Sequence, residues 1–235
     1  MKLKFFLITI VVICLILSIT GTTTELYQMA KPTSLIYKNN PVVILDAGHG
    51  GFDGGAVADD GTVEKDLNLQ IAKKVEKFIK AFGFATVMTR NDDASTDSNE
   101  GDKIRIRKKN DMHNRLNTMK QYENAVFVSI HLNKFSQEDC HGAQVIYSPR
   151  TADSSKLLAE KIQDNIVTNL QKNNKRVVAP GNKDTFLLYN APIPAVIVEC
   201  GFLSNDIDLK NLSSEEYQSK IAFCISTAVT DFLAQ

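Results

Sequence analysis

The fold of this chain is decided by one stretch, Val42-Val43-Ile44-Leu45-Asp46-Ala47-Gly48-His49-Gly50-Gly51. Four apolar residues, three of them β-branched, run directly into a turn rich in glycine. This pattern predicts a buried β-strand that ends where the backbone becomes too permissive to continue it. His49 then lies at the carboxyl end of the strand, which is the edge where open α/β sheets bind their ligands.

Two further apolar runs lead to chemically active side chains. Residues 125–130 are followed by His131, and residues 195–198 are followed by Glu199. Glu64 comes fifteen residues after His49, in the first turn of a predicted helix. Because the carboxyl ends of parallel strands meet at one edge of a sheet, we expect these four side chains to form one site.

Apolar residues between these runs recur at helical spacing. We predict helices over residues 63–82, 103–122, 154–171 and 214–233, and strands over residues 42–45, 84–89, 125–130, 143–147, 186–189 and 194–199. Strands that alternate with helices indicate an α/β fold with a largely parallel sheet and helices on both faces.

The amino terminus predicts export. Lys2 and Lys4 precede a mostly apolar run over residues 5–19, which is typical of a signal peptide or a short membrane anchor. A helix of that length spans about 22 Å, short of the roughly 30 Å of a bilayer core. We therefore assign residues 1–20 to a signal peptide or membrane anchor, residues 21–40 to a polar linker and residues 41–235 to one domain. A buried helix of the domain is the disfavoured alternative for residues 1–20.

The overall composition excludes some classes of function. Lys and Arg together number 27, and so do Asp and Glu, so net charge predicts no strong attraction to nucleic acid or to acidic lipid. Cysteine is sparse: Cys14 lies in the leader, and Cys140, Cys200 and Cys224 are too widely spaced for a disulfide framework or a Cys-x-x-Cys zinc site.

The four strand-end and helix-start residues fit the requirements of zinc catalysis. A catalytic zinc takes three protein ligands, typically His and Glu, and keeps one position open. His49, Glu64 and His131 supply such a set. Glu199 is then left for proton transfer, taking a proton from water and passing one to a leaving amine. The set predicts zinc-dependent amide hydrolysis.

Each of these residues also has a structural explanation when it is taken alone. A histidine at a strand end is commonly structural, and a glutamate at a helix start interacts favourably with the helix dipole. A carboxylate that closes a buried strand is costly unless it has a partner or a role, which favours a functional Glu199. Four such coincidences at matching positions favour the site.

The other candidate residues are weaker. Of the two aspartates that flank His49, we expect Asp46 to orient the imidazole as a hydrogen-bond acceptor, although spacing cannot establish it. His141 follows Cys140 in a polar loop, and His113 lies in a basic run over residues 103–115 that is typical of a solvated helix face.

Cys200 lies beside Glu199 and raises the alternative of a cysteine peptidase. A nucleophilic cysteine prefers a helix N-terminus and a histidine base, whereas this one ends a strand. We therefore interpret Cys200 as a small buried residue.

Taken together, the motifs resemble those of the zinc-dependent N-acetylmuramoyl-L-alanine amidases of the amidase-3 type. The matching stretches are residues 45–51, 64–69, 89–90, 129–133 and 198–205. The resemblance implies that His49, Glu64 and His131 bind zinc and that Glu199 is the catalytic acid–base residue. It also implies a mixed, mostly parallel six-stranded sheet covered by helices, with residues 41–235 as the catalytic domain.

Within that family, the sequence is most similar to the germination-specific amidases of spore-forming bacteria. These enzymes remove peptide stems from muramic acid so that muramic δ-lactam can form in the spore cortex. The resemblance implies peptidoglycan as substrate, an extracytoplasmic location in the cortex compartment and membrane contact through the N-terminal segment. It leaves an activating protein partner as one means of control.

Two alternatives remain open at this point. A zinc peptidase that cuts within the stem peptide would use the same set of ligands. A non-catalytic wall-binding module is the second alternative, and it would be expected to lack one of the four site residues.

Overall fold

The computed structural model describes residues 41–99, 101–137 and 139–235 of the chain. The predicted leader and linker, residues 1–20 and 21–40, lie outside the described residues. Within the described ranges, no helix is both long enough and apolar enough to cross a membrane.

Six strands of the described part form one mixed sheet in the order β2-β1-β3-β6-β4-β5. Strands β2, β1, β3 and β6 run parallel, β4 is antiparallel to β6, and β5 is parallel to β4. The strands are β1 (Val42–Ala47), β2 (Thr86–Met88), β3 (Ala125–Asn133), β4 (Gln144–Tyr147), β5 (Ala179–Pro180) and β6 (Ala195–Phe202). The predicted α/β fold with a mostly parallel six-stranded sheet is confirmed.

The four longer helices fall within three residues of their predicted bounds. The helices of the described part are α1 (Glu64–Ala81), α2 (Ile104–Lys120), α3 (Ala152–Asn169), α4 (Phe186–Asn190), α5 (Asp206–Leu212) and α6 (Glu215–Leu233). Two short elements, β5 and α5, have too few residues to show a period and were not predicted from the sequence.

The prediction of a strand over residues 186–189 is wrong, because this segment forms the short helix α4. A short apolar run fits a buried strand and a buried helical turn equally well. The backbone N–H of Tyr189 donates to the carbonyl of Thr185, which closes a helical turn. Strand β6 already pairs with β3 and β4, so its edges offer no place for another strand.

Side chains alternate along the strands and divide the core into two layers. One layer packs the face that carries Val43, Leu45 and Ala47 against α1, α3 and α6. The other packs Ile44 and Phe127 against α2 and α4. Helices therefore cover both faces, as predicted.

The register of the sheet places the candidate residues at one edge. Asp46 pairs with Ser129 between β1 and β3, and His131 pairs with Glu199 between β3 and β6. Because alternate residues share a face, Asp46, Ser129, His131 and Glu199 all lie on the side that α2 and α4 cover. The carboxyl ends of three neighbouring parallel strands thus meet there.

Candidate metal centre

Three predicted ligands meet above the carboxyl edge of the sheet. His49 follows β1, Glu64 is the first residue of α1, and His131 lies in β3. Their donor atoms all lie within 4.8 Å of one another, and no other group of this kind occurs in the described part of the chain. His49 Nε2 is 3.3 Å from Glu64 Oε2, and His131 Nδ1 is 3.0 Å from Glu64 Oε1.

Glu64 is buried and held by donors on both of its oxygens. The backbone N–H of Ala56 donates to Oε2, while the backbone N–H of Leu132 and the side chain of Asn68 donate to Oε1. Burial by itself would raise the pKa of Glu64, but hydrogen bonds and charge from His131 and His49 hold it well below its usual range. The carboxylate is therefore ionised, which is the form that binds a metal.

Two glycines make room for this cluster. A Cβ atom at Gly48 would lie 2.3 Å from Nε2 of His131, and one at Gly55 would lie 2.5 Å from Oε2 of Glu64. His49 itself adopts a left-handed backbone with φ of 61°, which costs a non-glycine residue roughly 1–2 kcal/mol. The glycine-rich loop is therefore shaped by the side chains that it surrounds.

The residue that orients His49 is Asp53, so the expectation for Asp46 is wrong. Asp53 Oδ2 lies 2.9 Å from His49 Nδ1, which leaves Nε2 free to face Glu64. A tight turn, in which Gly50 and Asp53 exchange backbone hydrogen bonds, folds Asp53 back onto the imidazole. Asp46 instead points into the sheet face below, because side chains alternate along β1.

Asp46 belongs to a buried polar network below the loop. The hydroxyls of Thr89 and Ser129 donate to its carboxylate, and Arg115 forms an ion pair with it. Burial would raise the pKa of Asp46, but the Arg115 charge and the two hydroxyls hold it below its ordinary value. The network carries an ionised aspartate beneath the cluster of candidate ligands.

Two buried arginines hold the carbonyl groups of the loop. Arg90 donates from Nε to the carbonyl of Ala47 and from Nη2 to that of Gly48, at 2.8 and 3.1 Å. Arg115 donates from Nη1 to the carbonyl of Ala47 and from Nη2 to that of His49, at 3.0 and 2.6 Å. The successive carbonyls of Ala47, Gly48 and His49 are thus fixed by side chains.

The expectation of a solvated basic face is wrong for Arg115, whose side chain is 1% exposed. Lys103, Arg105 and Lys109 of the same run are exposed, as predicted. Arg115 lies three residues after Met112 and four before Met119, which places it on the apolar face of α2. This spacing was the available signal in the sequence.

Glu199 lies beside the cluster and is not engaged by it. Its Oε2 atom is shielded from solvent and has no hydrogen-bond partner among the described residues. Burial raises the pKa of Glu199, the charge of His131 lowers it and that of Glu64 raises it, with a net upward shift. Because its Oε2 atom has no hydrogen-bond partner, this carboxyl group is free to accept a proton and to give one up.

Three of the four site residues line a cavity of about 340 Å³, and Glu64 is not part of its lining. His49, His131 and Glu199 line it directly. Its walls come from α2, through Lys108 and Met112, and from residues 184–187 at the start of α4. The cavity gives a substrate access both to the candidate metal ligands and to the free carboxylate.

The weaker candidates lie outside this cavity. Cys140 and His141 line a separate surface pocket, and His113 is exposed and packs edge-on against Phe186. Cys200 is fully buried, and burial raises the pKa of its thiol. A thiol held neutral in the core is a poor nucleophile, which agrees with the interpretation of Cys200 as a packing residue.

Comparison with known proteins agrees with these features. A family model described as Amidase_3, N-acetylmuramoyl-L-alanine amidase, matches residues 43–231. The chain is 32% identical to the germination-specific N-acetylmuramoyl-L-alanine amidase of Bacillus subtilis, over 87% of this chain and 84% of that protein. It is 29% identical to the LytC amidase of the same organism, over 82% of this chain and 36% of LytC.

Solved structures share the fold. The CwlD amidase from Clostridioides difficile, determined in complex with the GerS lipoprotein, matches with a TM-score of 0.79 and 40% identity, over 83% of this chain and 99% of that chain. An N-acetylmuramoyl-L-alanine amidase from Clostridium difficile 630 matches with a TM-score of 0.72 and 30% identity, over 84% of this chain and 99% of that chain. With a family match across nearly the whole described region and relatives of this similarity, the chain belongs to the Amidase_3 family of N-acetylmuramoyl-L-alanine amidases.

Proposed function

We propose that residues 41–235 form the catalytic domain of a zinc-dependent amidase, with His49, Glu64 and His131 as the metal ligands and Glu199 as the acid–base residue. The substrate is the amide bond between N-acetylmuramic acid and the L-alanine of the peptidoglycan stem peptide. The observation that carries this proposal is the meeting of three metal-type donors within 4.8 Å beside a carboxylate oxygen without a partner.

The donor set suits zinc. Two imidazoles and one carboxylate are the ligands of many catalytic zinc sites, and they leave a position open. Asp53 occupies Nδ1 of His49 and so directs Nε2 toward the site, as acidic partners of metal-binding histidines do. When bound, zinc supplies Lewis acidity toward the scissile carbonyl and toward the attacking water.

Glu199 transfers the protons of the reaction. As the water oxygen adds to the amide carbon, Glu199 accepts a proton from that water. When the carbon–nitrogen bond breaks, the same carboxyl group gives a proton to the departing nitrogen. The products are a carboxylate on the lactyl group of muramic acid and a free amino group on L-alanine. Its unpartnered Oε2 has no hydrogen bond to break before it takes up the proton.

The named relatives support a narrower role. One is a germination-specific amidase, and the structure of another was determined in complex with a lipoprotein. We propose that the protein is exported by its N-terminal segment, acts in the spore cortex and prepares muramic acid for closure to its δ-lactam. An activating protein partner belongs to this proposal as well.

Digestion of purified peptidoglycan, followed by mass analysis, tests the proposal. We expect a new L-alanine amino group and intact stem peptides, and we expect a chelator to abolish the reaction. Cuts within the stem would favour a zinc peptidase, and binding without products would favour a wall-binding module. The same mass analysis can be applied to the cortex of spores from a strain that lacks the protein, where we expect no muramic δ-lactam. A normal lactam content would reject the cortex role but not the amidase activity.

A further inference from the structure

We propose that Arg115 is a positioning residue of the metal site: it fixes the backbone of His49 and so sets the affinity and the geometry of metal binding. The inference rests on the proposed role of His49 as a ligand. Arg115 makes no hydrogen bond to the ligand atoms, and it acts through the loop after β1, which carries His49.

The contacts of Arg115 lead directly to the ligand residue. Its Nη2 atom donates to the carbonyl of His49 at 2.6 Å, and Nη1 donates to that of Ala47 at 3.0 Å. Arg90 binds the carbonyls of Ala47 and Gly48 but makes no such bond to His49. Arg115 is therefore the arginine that fixes the peptide group of the ligand itself, at a residue whose left-handed backbone needs support.

Arg115 is itself held firmly. Its Nε atom donates to Asp111 at 2.7 Å, and Nη1 pairs with Asp46. Asp46 is anchored in turn by the hydroxyls of Thr89 and Ser129. The guanidinium thus links α2 with β1 and β3, and it holds the loop after β1 in a fixed position relative to them.

Stability alone does not explain such a network. Buried ion pairs contribute little net stability compared with well-packed apolar residues of similar size, because desolvation offsets the attraction. An apolar residue at position 115 would fill the space but could not hold a carbonyl group. The direction of the Arg115 donors toward the ligand loop is the feature that a positioning role explains.

Lysine cannot reproduce this arrangement. The guanidinium presents donors in a planar fork, and Arg115 uses Nε, Nη1 and Nη2 at once for two carboxylates and two carbonyls. A lysine keeps the positive charge but has one nitrogen atom, which cannot reach all of these acceptors. Arg115→Lys therefore separates the geometry from the charge.

The test compares Arg115→Lys with Arg105→Lys, the same change at an exposed position of α2. Zinc dissociation constants are measured by chelator competition well below the melting temperature, and the visible spectrum is recorded after cobalt is substituted for zinc. We expect Arg115→Lys to bind zinc about 10- to 100-fold more weakly, as changes around metal ligands do, and to alter the cobalt spectrum. Arg105→Lys should match the wild type in both.

Asp111→Asn is the second variant, for the case that Arg115→Lys does not fold. It removes the charged partner of Arg115 Nε, while the Asn side chain keeps an oxygen that can still accept from Ser95 and Thr96. We therefore expect a smaller change in the same direction. If either folded variant lowers the melting temperature but keeps wild-type zinc affinity and cobalt spectrum, Arg115 is only structural and the inference is overturned. Failure of the wild type to bind zinc would instead reject the proposed metal site, and the inference with it.

Discussion

The imidazole of His49 lies between two carboxylates, those of Asp53 and Glu64. Burial lowers the pKa of this histidine, but hydrogen bonds and charge from the two carboxylates outweigh it and raise the pKa to about 9. In the metal-free protein His49 is therefore a cation at neutral pH. Since a metal binds only the neutral imidazole, the metal must displace a proton.

This displacement predicts that zinc affinity depends on pH above neutrality. Between pH 7 and about 9, the affinity should rise about tenfold per pH unit, because one proton competes with the metal for His49. A histidine with the ordinary pKa near 6.5 would give almost no slope in that range. The measurement is zinc competition against a chelator of known pH dependence.

Asp53→Asn provides the control for this prediction. The amide lacks the negative charge that raises the pKa of His49, so the slope above pH 7 should shrink. If the zinc affinity of the wild type does not change between pH 7 and pH 9, His49 is already neutral in that range and the prediction is wrong.

For single residues, the sequence predicts which side chains form the site, but it predicts only some of the residues that orient them. His49, His131 and Glu199 can be located because each lies at or just beyond the end of an apolar run, and strand ends meet at one edge of a parallel sheet. Asp53 could not be chosen over Asp46, because the choice depends on a turn whose shape is set by hydrogen bonds between Gly50 and Asp53.

The loop between β1 and α1 shows how one element depends on the site. Gly55 and Gly61 both have left-handed backbones, with φ of 71° and 91°. A Cβ atom at Gly61 would meet nothing within 4 Å, whereas one at Gly55 would collide with Glu64 and His49. Alanine at either position therefore strains the backbone, but only at Gly55 does it also disturb the ligands.

The pair makes a matched test. Both Gly55→Ala and Gly61→Ala should lower the free energy of unfolding by roughly 1–2 kcal/mol from backbone strain, measured in urea without metal. Gly55→Ala should in addition bind zinc much more weakly, because Glu64 or His49 must move. Equal zinc affinity in the two variants would mean that the loop and the ligands are not coupled as the structure implies.

The long helices and strands could be predicted from the sequence because their patterns of apolar residues continue over many residues. The apolar positions of α1 and α6 repeat over several turns, and the runs of β1 and β3 are rich in β-branched residues. The segment Phe186–Asn190 is little more than one helical turn long, which is too short for its apolar residues to show a helical repeat. Its helical state therefore depends on tertiary packing against α2. The same limit applies to β5, which has two residues.

Across the whole molecule, residues far apart in sequence are brought together by the order of the strands. His49 and Glu199 are separated by 150 residues, yet β3 lies between β1 and β6 and all three run parallel. Alternation of helices and strands predicts a parallel sheet in general terms. The strand order and the pairing of His131 with Glu199 are properties of the folded chain that no local pattern carries.

The central claim is that three residues hold one zinc ion and that Glu199 transfers protons. The direct test measures zinc content and turnover on peptidoglycan in the same preparations of wild type, His131→Ala and Glu199→Gln. We predict about one zinc per chain in the wild type and in Glu199→Gln, a turnover reduced about 10²- to 10⁴-fold in Glu199→Gln, and little zinc in His131→Ala. Full zinc occupancy in His131→Ala, or near wild-type turnover in Glu199→Gln, would contradict the account.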